Sequence, residues 1–125
     1  MNSMNKFIVI GRLTKDPVIK TINENTKVCN ITVATERDYK DKEGNKITDF
    51  LNFSLWNKDA ERINNLSKKG ALITLEGYNT TKEIDNNGEK IYVNNPVVVK
   101  YTHLANAKEY SSTSSKEEKQ EEMEK

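Results

Sequence analysis

Cysteine and histidine are nearly absent from this chain of 125 residues, which has one of each, Cys29 and His103. A lone cysteine cannot form an internal disulfide, and no second thiol or histidine stands at metal-ligand spacing. Cys29 lies in the alternating run 28–33, which predicts a small core residue, and His103 is predicted to be a surface or interface residue. We therefore expect no metal site and no other cofactor.

Long apolar runs are missing as well. The apolar part of residues 1–10 is too short for a signal peptide, and no run is long enough to cross a membrane. We therefore expect a cytoplasmic protein with no membrane partner. The sequence also lacks a metal-like carboxylate arrangement, a nucleophile beside a base and a phosphate-cradling glycine loop, so an enzyme such as a nuclease or ligase subunit is the weakest hypothesis and we expect no catalytic residues.

The C-terminal segment has too little apolar surface to enter a core. Residues 109–125 are mostly serine, glutamate and lysine, with a single methionine. Such a composition cannot offset the loss of chain entropy on folding, so we predict a disordered acidic tail over 109–125 and one folded domain over 1–108. A mildly basic domain with an acidic tail is typical of polyanion binders and of many other proteins.

The pattern of apolar residues and turn residues predicts five strands and one short helix for the domain. Alternating segments predict a first strand that starts at residue 7, bends at Gly11 and continues after a turn at Asp16-Pro17. Further strands are predicted at about 27–37, 47–56, 71–78 and 90–102, with a helix capped by Asn57 between the third and the fourth. This order predicts a mainly β protein, a five-stranded OB-fold barrel, which is a scaffold often used to bind oligonucleotides.

The predicted third strand has two faces of different character. Strand alternation places Leu51, Phe53 and Leu55 on one side, which forms a core face, and leaves Phe50 and Trp56 among polar residues on the other. Exposed rings beside polar side chains are typical of surfaces that stack unpaired bases. The two rings could equally pack against a loop or a second subunit.

A series of short segments resembles the bacterial-type single-stranded DNA-binding proteins in order and spacing. No single segment is diagnostic, but together they cover about residues 4–104: 4–13, Asp16-Pro17, 30–35, 48–56, Ala60-Glu61, Lys69-Gly70, Glu76-Gly77 and 97–99. The resemblance implies an OB-fold that binds single-stranded DNA without reading its sequence, in replication, recombination and repair. It also implies a homotetramer, with a dimer as the other possibility.

The family's DNA-binding positions carry over to named residues. By this resemblance, stacking aromatics fall on Tyr39, Phe50 and Trp56, while a fourth falls on Glu83, which cannot stack; Tyr78 on the same hairpin is the candidate to replace it. The phosphate-binding lysines implied are Lys6, Lys58, Lys69 and Lys82.

Other positions depart from the family. An arginine common in its third strand is Asn52 here, so we expect weaker binding than in better-known members. Tyr92 and Tyr101 are predicted to be partly structural, because aromatics on the last strand of a small barrel often cover its core.

The acidic tail departs from that of the family's cellular members, and a second function is also possible for the domain. The acidic tail ends without the Pro-Phe tip by which cellular members dock replication and repair partners, which resembles phage or plasmid members acting in a bacterial cell or infected host. The alternative to DNA coating is an OB-fold interaction module of a replication or primosome assembly with weak DNA binding, which Glu83 and Asn52 favour.

Overall fold

The computed structural model describes residues 2–107, and the predicted tail at 109–125 lies outside them. Within the described range the chain forms six strands and one helix. In chain order these are β1 (Phe7–Leu13), β2 (Ile19–Asn23), β3 (Thr26–Lys40), β4 (Lys46–Trp56), α1 (Asn57–Leu66), β5 (Leu72–Asn86) and β6 (Glu89–Ala105). The mainly β prediction is confirmed, with the first predicted strand divided into β1 and β2 at the Asp16-Pro17 turn.

All strand pairs are antiparallel. The order across the sheet is β2-β3-β1-β5-β6, and β4 also pairs with β3. No backbone ladder joins β4 to β6 within residues 2–107, so the sheet is not closed and the expected five-stranded barrel is not confirmed. The two long hairpins, β3–β4 and β5–β6, extend further than the alternation predicted. Asn87 and Gly88 both have positive φ at the tip of the second, as the Asn-Gly turn requires.

The core lies between the inner faces of the strands and α1. It comprises buried side chains from every part of the sheet except β2, together with two from the helix: Leu13, Cys29, Ile31, Val33, Phe53, Leu55, Ala60, Ile63, Ala71, Ile73, Leu75 and Tyr101. The core prediction for Cys29 is confirmed. Burial also raises the pKa of its thiol, because the thiolate would be desolvated there.

Helix α1 occupies the predicted place between β4 and β5, but its start differs from the prediction. Asn57 adopts a positive φ, and its side chain makes no cap bond to the helix. Instead its Oδ1 accepts a hydrogen bond from the backbone N–H of Lys27, 3.0 Å away, which ties the first turn to β3. No helix within residues 2–107 is long and apolar enough to cross a membrane.

Candidate functional site

An open groove of about 650 Å³ runs between the β3–β4 hairpin and the β5–β6 hairpin. Its floor carries outward side chains of β3 and β4, and its wall comes mainly from β6. The floor residues are Asn30, Thr32, Asn52, Ser54 and Trp56; the wall residues are Lys82 and 94–98; Lys15 and the core residues Ile31 and Phe53 complete the lining. A wide groove with a mixed polar and apolar lining and a ring in its floor suits an extended chain molecule better than a small compact one.

Cross-strand pairing arranges the polar floor. Asn30 lies opposite Ser54, and Thr32 lies opposite Asn52 in the β3–β4 register. Ser54 donates its hydroxyl to Asn30 Oδ1 at 2.6 Å, and Thr32 donates to Asn52 Oδ1 at 2.7 Å. Both amide oxygens are thereby occupied, and neither amide Nδ2 has a partner among residues 2–107. The floor therefore presents neutral hydrogen-bond donors to the groove.

Two of the predicted stacking rings lie on this outward face of β4. Trp56 is 51% exposed and lines the groove, and Phe50 is 63% exposed on the same side of the strand. Phe50 lies outside the groove lining, opposite the small side chain of Ala34, which leaves the ring uncovered. Six residues of strand separate the two rings by roughly 20 Å. The predicted alternation of β4 is confirmed, with Phe53 and Leu55 buried on the other side.

The structure does not bring the other two predicted rings into the groove. Tyr39 is exposed near the tip of the β3–β4 hairpin, where its hydroxyl accepts a hydrogen bond from Arg37 Nη1 at 2.9 Å. Arg37 also clamps both carboxylate oxygens of Asp49, at 2.9 and 3.0 Å, which keeps Tyr39 on the Asp49 side of the hairpin. Tyr78 is exposed on β5 and lies opposite Val97, a wall residue.

Of the four predicted lysines, only Lys82 lines the groove. Lys6 lies 3.8 Å from Glu76 in an exposed ion pair, and Lys58 is exposed in the first turn of α1. Lys69 is exposed after the helix, where its backbone N–H donates to Asp16 Oδ1 at 2.7 Å. Lys15 lines the groove and was not predicted; its place directly before the Asp16-Pro17 turn was the available signal.

Two ion pairs shift the pKa of carboxyl groups near the hairpins. Hydrogen bonds from Arg37 lower the pKa of Asp49, and the 2.7 Å contact with Lys27 lowers the pKa of Glu61. Each carboxyl group therefore loses its proton at a lower pH than the free side chain does. Because these groups are solvated, each ion pair fixes the positions of its two side chains but adds little to the free energy of unfolding.

A buried polar cluster joins α1 to β6 and takes no part in the groove. Ser67 Oγ lies 2.5 Å from the Tyr101 hydroxyl and 2.8 Å from His103 Nδ1. His103 is half-buried and bonded in this cluster, and its prediction as a surface or interface residue stays a prediction. Ser67 is fully buried, which denies a substrate access to the Ser–His pair. Among residues 2–107 no group of His, Cys, Asp and Glu could hold a metal ion.

Tyr92 and Tyr101 of β6, for which the sequence predicted the same role, differ in burial. Tyr101 is 1% exposed and belongs to the core, as predicted, with the Arg62 guanidinium 5.4 Å from its ring. Burial raises the pKa of its hydroxyl. Tyr92 is 68% exposed, so its structural prediction is wrong. Beyond Gly77 the β5–β6 hairpin leaves the core, and nothing remains there for Tyr92 to cover.

Comparison with known proteins gives one consistent match. A family model described as the single-strand binding protein family matches residues 4–105. A relative from Streptococcus pyogenes serotype M18, "Single-stranded DNA-binding protein 1", is 34% identical over 113 residues, which cover 90% of this chain and 87% of the relative. A Clostridium acetobutylicum relative, "Single-stranded DNA-binding protein 2", is 45% identical over 92 residues, which cover 72% and 68%. A Halalkalibacterium halodurans relative, "Single-stranded DNA-binding protein", is 35% identical over 91 residues, but the match spans only 54% of its length.

Proposed function

Because this chain belongs to the single-strand binding protein family, we propose that it binds single-stranded DNA without reading its sequence and protects it during replication, recombination and repair. The observation that carries the proposal is the exposed Trp56 ring in the floor of an open groove, with Phe50 exposed on the same face of β4. Unpaired bases offer flat apolar faces to such rings, whereas duplex DNA hides them in its stack.

Stacking and charge have separate roles in this mechanism. Each base stacked on an aromatic ring contributes about 1–3 kcal/mol and every base can do so, since each has a π-face. Lys82 and Lys15 at the groove, with Lys6, Lys58 and Lys69 outside it, neutralise phosphates and release counterions. The logarithm of affinity then falls with the logarithm of salt concentration by about 0.7 for each phosphate contacted. Tyr39 and Tyr78 extend the stacking surface along the two hairpins.

The family membership also supports a finer architecture. We propose that residues 1–108 form an OB-fold whose barrel closes around the groove, and that four copies assemble with the DNA wrapped over them. The acidic segment 109–125 serves as a tail that recruits replication or repair proteins. With DNA as its ligand, the protein acts at the nucleoid or on phage DNA in the host cell.

The decisive experiment uses Trp56 as its own probe. Trp56 is the single tryptophan of the chain, so its fluorescence reports on the groove floor alone. Addition of oligo(dT) at low salt should quench this emission, because a base stacks on the indole, and duplex DNA at the same salt should not. Unchanged emission together with unchanged electrophoretic mobility would refute single-strand binding.

Substitutions separate the binding role of the rings from a packing role. Phe50→Ala combined with Trp56→Ala should weaken oligo(dT) binding by at least about 10-fold, measured by mobility shift, while the circular dichroism spectrum stays the same. Ile8→Ala is the matched control, since Ile8 is an equally exposed apolar side chain on β1 outside the groove. Loss of folding in the double variant would instead assign the rings to packing.

An interaction module with weak DNA binding is the second candidate. The neutral floor at Asn30 and Asn52 favours it, because no cation stands between Phe50 and Trp56 on β4. The same titration decides between the two candidates. A protein that gives neither quenching nor a mobility shift at low salt would leave the groove to a polypeptide partner.

A further inference from the structure

Strand β6 borders the groove and continues beyond it. Residues 94–98 all line the wall, and Tyr92 precedes Asn94 by two positions on the same strand. Side chains two apart on a strand share a face and lie about 7 Å from each other. Tyr92 therefore lies on the same face of β6 as Asn94, about 7 Å beyond the last lining residue of the wall.

The Tyr92 ring is placed like a ligand contact and unlike a core residue. At 68% it is the most exposed aromatic side chain of residues 2–107. It makes no ring contact and no hydrogen bond within that range; the ring contacts found there involve Phe7 with Phe53, Arg37 with Tyr39 and Arg62 with Tyr101. A ring exposed in this way offers a flat apolar face on which an unpaired base can stack.

The charge beside Tyr92 does not oppose a polyanion. Glu83 lies directly opposite Tyr92 in the β5–β6 register, so both side chains share one face of the hairpin. Its carboxylate lies 3.4 Å from the Lys90 ammonium, which neutralises it locally. Glu83 is thus a smaller obstacle to DNA than its charge in the sequence indicates.

We infer that Tyr92 is a further base-stacking residue, which takes up single-stranded DNA as it leaves the groove along the β5–β6 hairpin. This rests on the proposed function and deepens it. Trp56 binds bases in the floor, and Tyr92 binds a base beyond the wall formed by 94–98. The path therefore turns along β6 at a residue that the sequence predicted to be partly structural.

The test compares two lengths of oligo(dT) on the full-length protein. One oligomer of about 4 nucleotides fills little more than the groove, and one of about 16 nucleotides reaches the hairpin, the two ends of the range known for single OB-folds. Tyr92→Ala should weaken binding of the longer oligomer about 5- to 150-fold and leave the shorter one nearly unchanged. Tyr92→Phe should bind both like the parent, since it keeps the ring.

Two controls separate the loss of base stacking from the loss of folding. Ile91→Ala removes an apolar side chain from the opposite face of the same strand and should leave both affinities unchanged; thermal melting of each variant reports folding. Parent-like binding of the longer oligomer by Tyr92→Ala would overturn the inference, as would equal loss for both lengths or equal loss in Tyr92→Phe. If Trp56→Ala still weakens the binding of both oligomers in that case, single-strand binding stands as the function and Tyr92 has no part in it. If the parent binds neither oligomer, the proposed function itself fails.

Discussion

The side chain at each outward position of β4 determines what the groove floor can bind. Trp56 supplies a ring in the floor and Phe50 a second ring on the same face of β4 outside the groove, while Asn52 and Ser54 between them supply neutral polar groups bonded to β3. No outward position from Phe50 to Trp56 on this strand carries a charge. The proposed mechanism therefore assigns phosphate neutralisation to Lys15 and Lys82 at the sides of the groove, and stacking and hydrogen bonding to its floor.

A cation at position 52 should change this balance measurably. Asn52→Arg places a guanidinium between the two rings, so the affinity for oligo(dT) should rise at low salt. The slope of log affinity against log salt should steepen by about 0.7, which corresponds to one more phosphate contact. Titrations at several salt concentrations measure both quantities. Asn52→Gln is the control, since it keeps the neutral amide, and an unchanged slope in the arginine variant would place the DNA backbone away from β4.

The sequence predicted the floor of the site better than its borders. Alternation fixes which side of a strand each residue faces, so the exposure of Phe50 and Trp56 followed from a single local rule. The environments of Tyr92 and Tyr39 depend on features that alternation does not contain. Tyr92 is exposed because its hairpin leaves the core, and Tyr39 lies within the irregular stretch of the β3–β4 register between Glu36 and Lys40.

Helix α1 packs on the core through Ala60 and Ile63 and is also anchored by hydrogen bonds at both ends. At the first turn the Asn57 side chain accepts a hydrogen bond from β3 and does not cap the helix. The residue type alone predicted the cap and could not predict the bond to β3. At the last turn Ser67 donates its backbone N–H to Ile63 O and places its hydroxyl between Tyr101 and His103. The position of the helix between β4 and β5 could be predicted from apolar spacing, but these anchors require partners distant in sequence.

Removal of the Ser67 hydroxyl should therefore weaken the attachment of α1 to β6. Ser67→Ala leaves the Tyr101 hydroxyl without this partner in a buried setting, so the free energy of unfolding should fall by about 1–3 kcal/mol in urea denaturation. Oligo(dT) affinity should stay near that of the parent, because the cluster lies away from the groove. Ser3→Ala, at an exposed position ahead of β1, is the control. Equal stability of the two variants would mean that the hydroxyl is satisfied by water.

Strand β1 joins the two halves of the whole molecule. It pairs with β5 from Phe7 to Arg12 and with β3 at Arg12 and Leu13, so it connects the sheet that bears the groove floor to the hairpin that forms the wall. Gly11 lies where these two pairings meet. A Cβ built there would lie 2.5 Å from Ala34 O and 2.6 Å from Val33 Cγ1, which no side chain can occupy without movement. The sequence predicted a bend at Gly11, but the close approach to β3 depends on the complete sheet.

Stability and DNA binding should fall together when this junction is filled. Gly11→Ala forces β1 away from β3, and overpacking of this kind costs about 1–3 kcal/mol of unfolding free energy, measurable by urea denaturation. Because the displaced strand carries β5 and β6 with it, the wall should shift relative to the floor and the oligo(dT) affinity of the folded protein should also decrease. Ser3→Ala, at an exposed position ahead of β1, is the control. A destabilised Gly11→Ala protein that binds oligo(dT) as tightly as the parent would show that β1 does not set the groove, and that the β3–β4 surface binds DNA without the β6 wall.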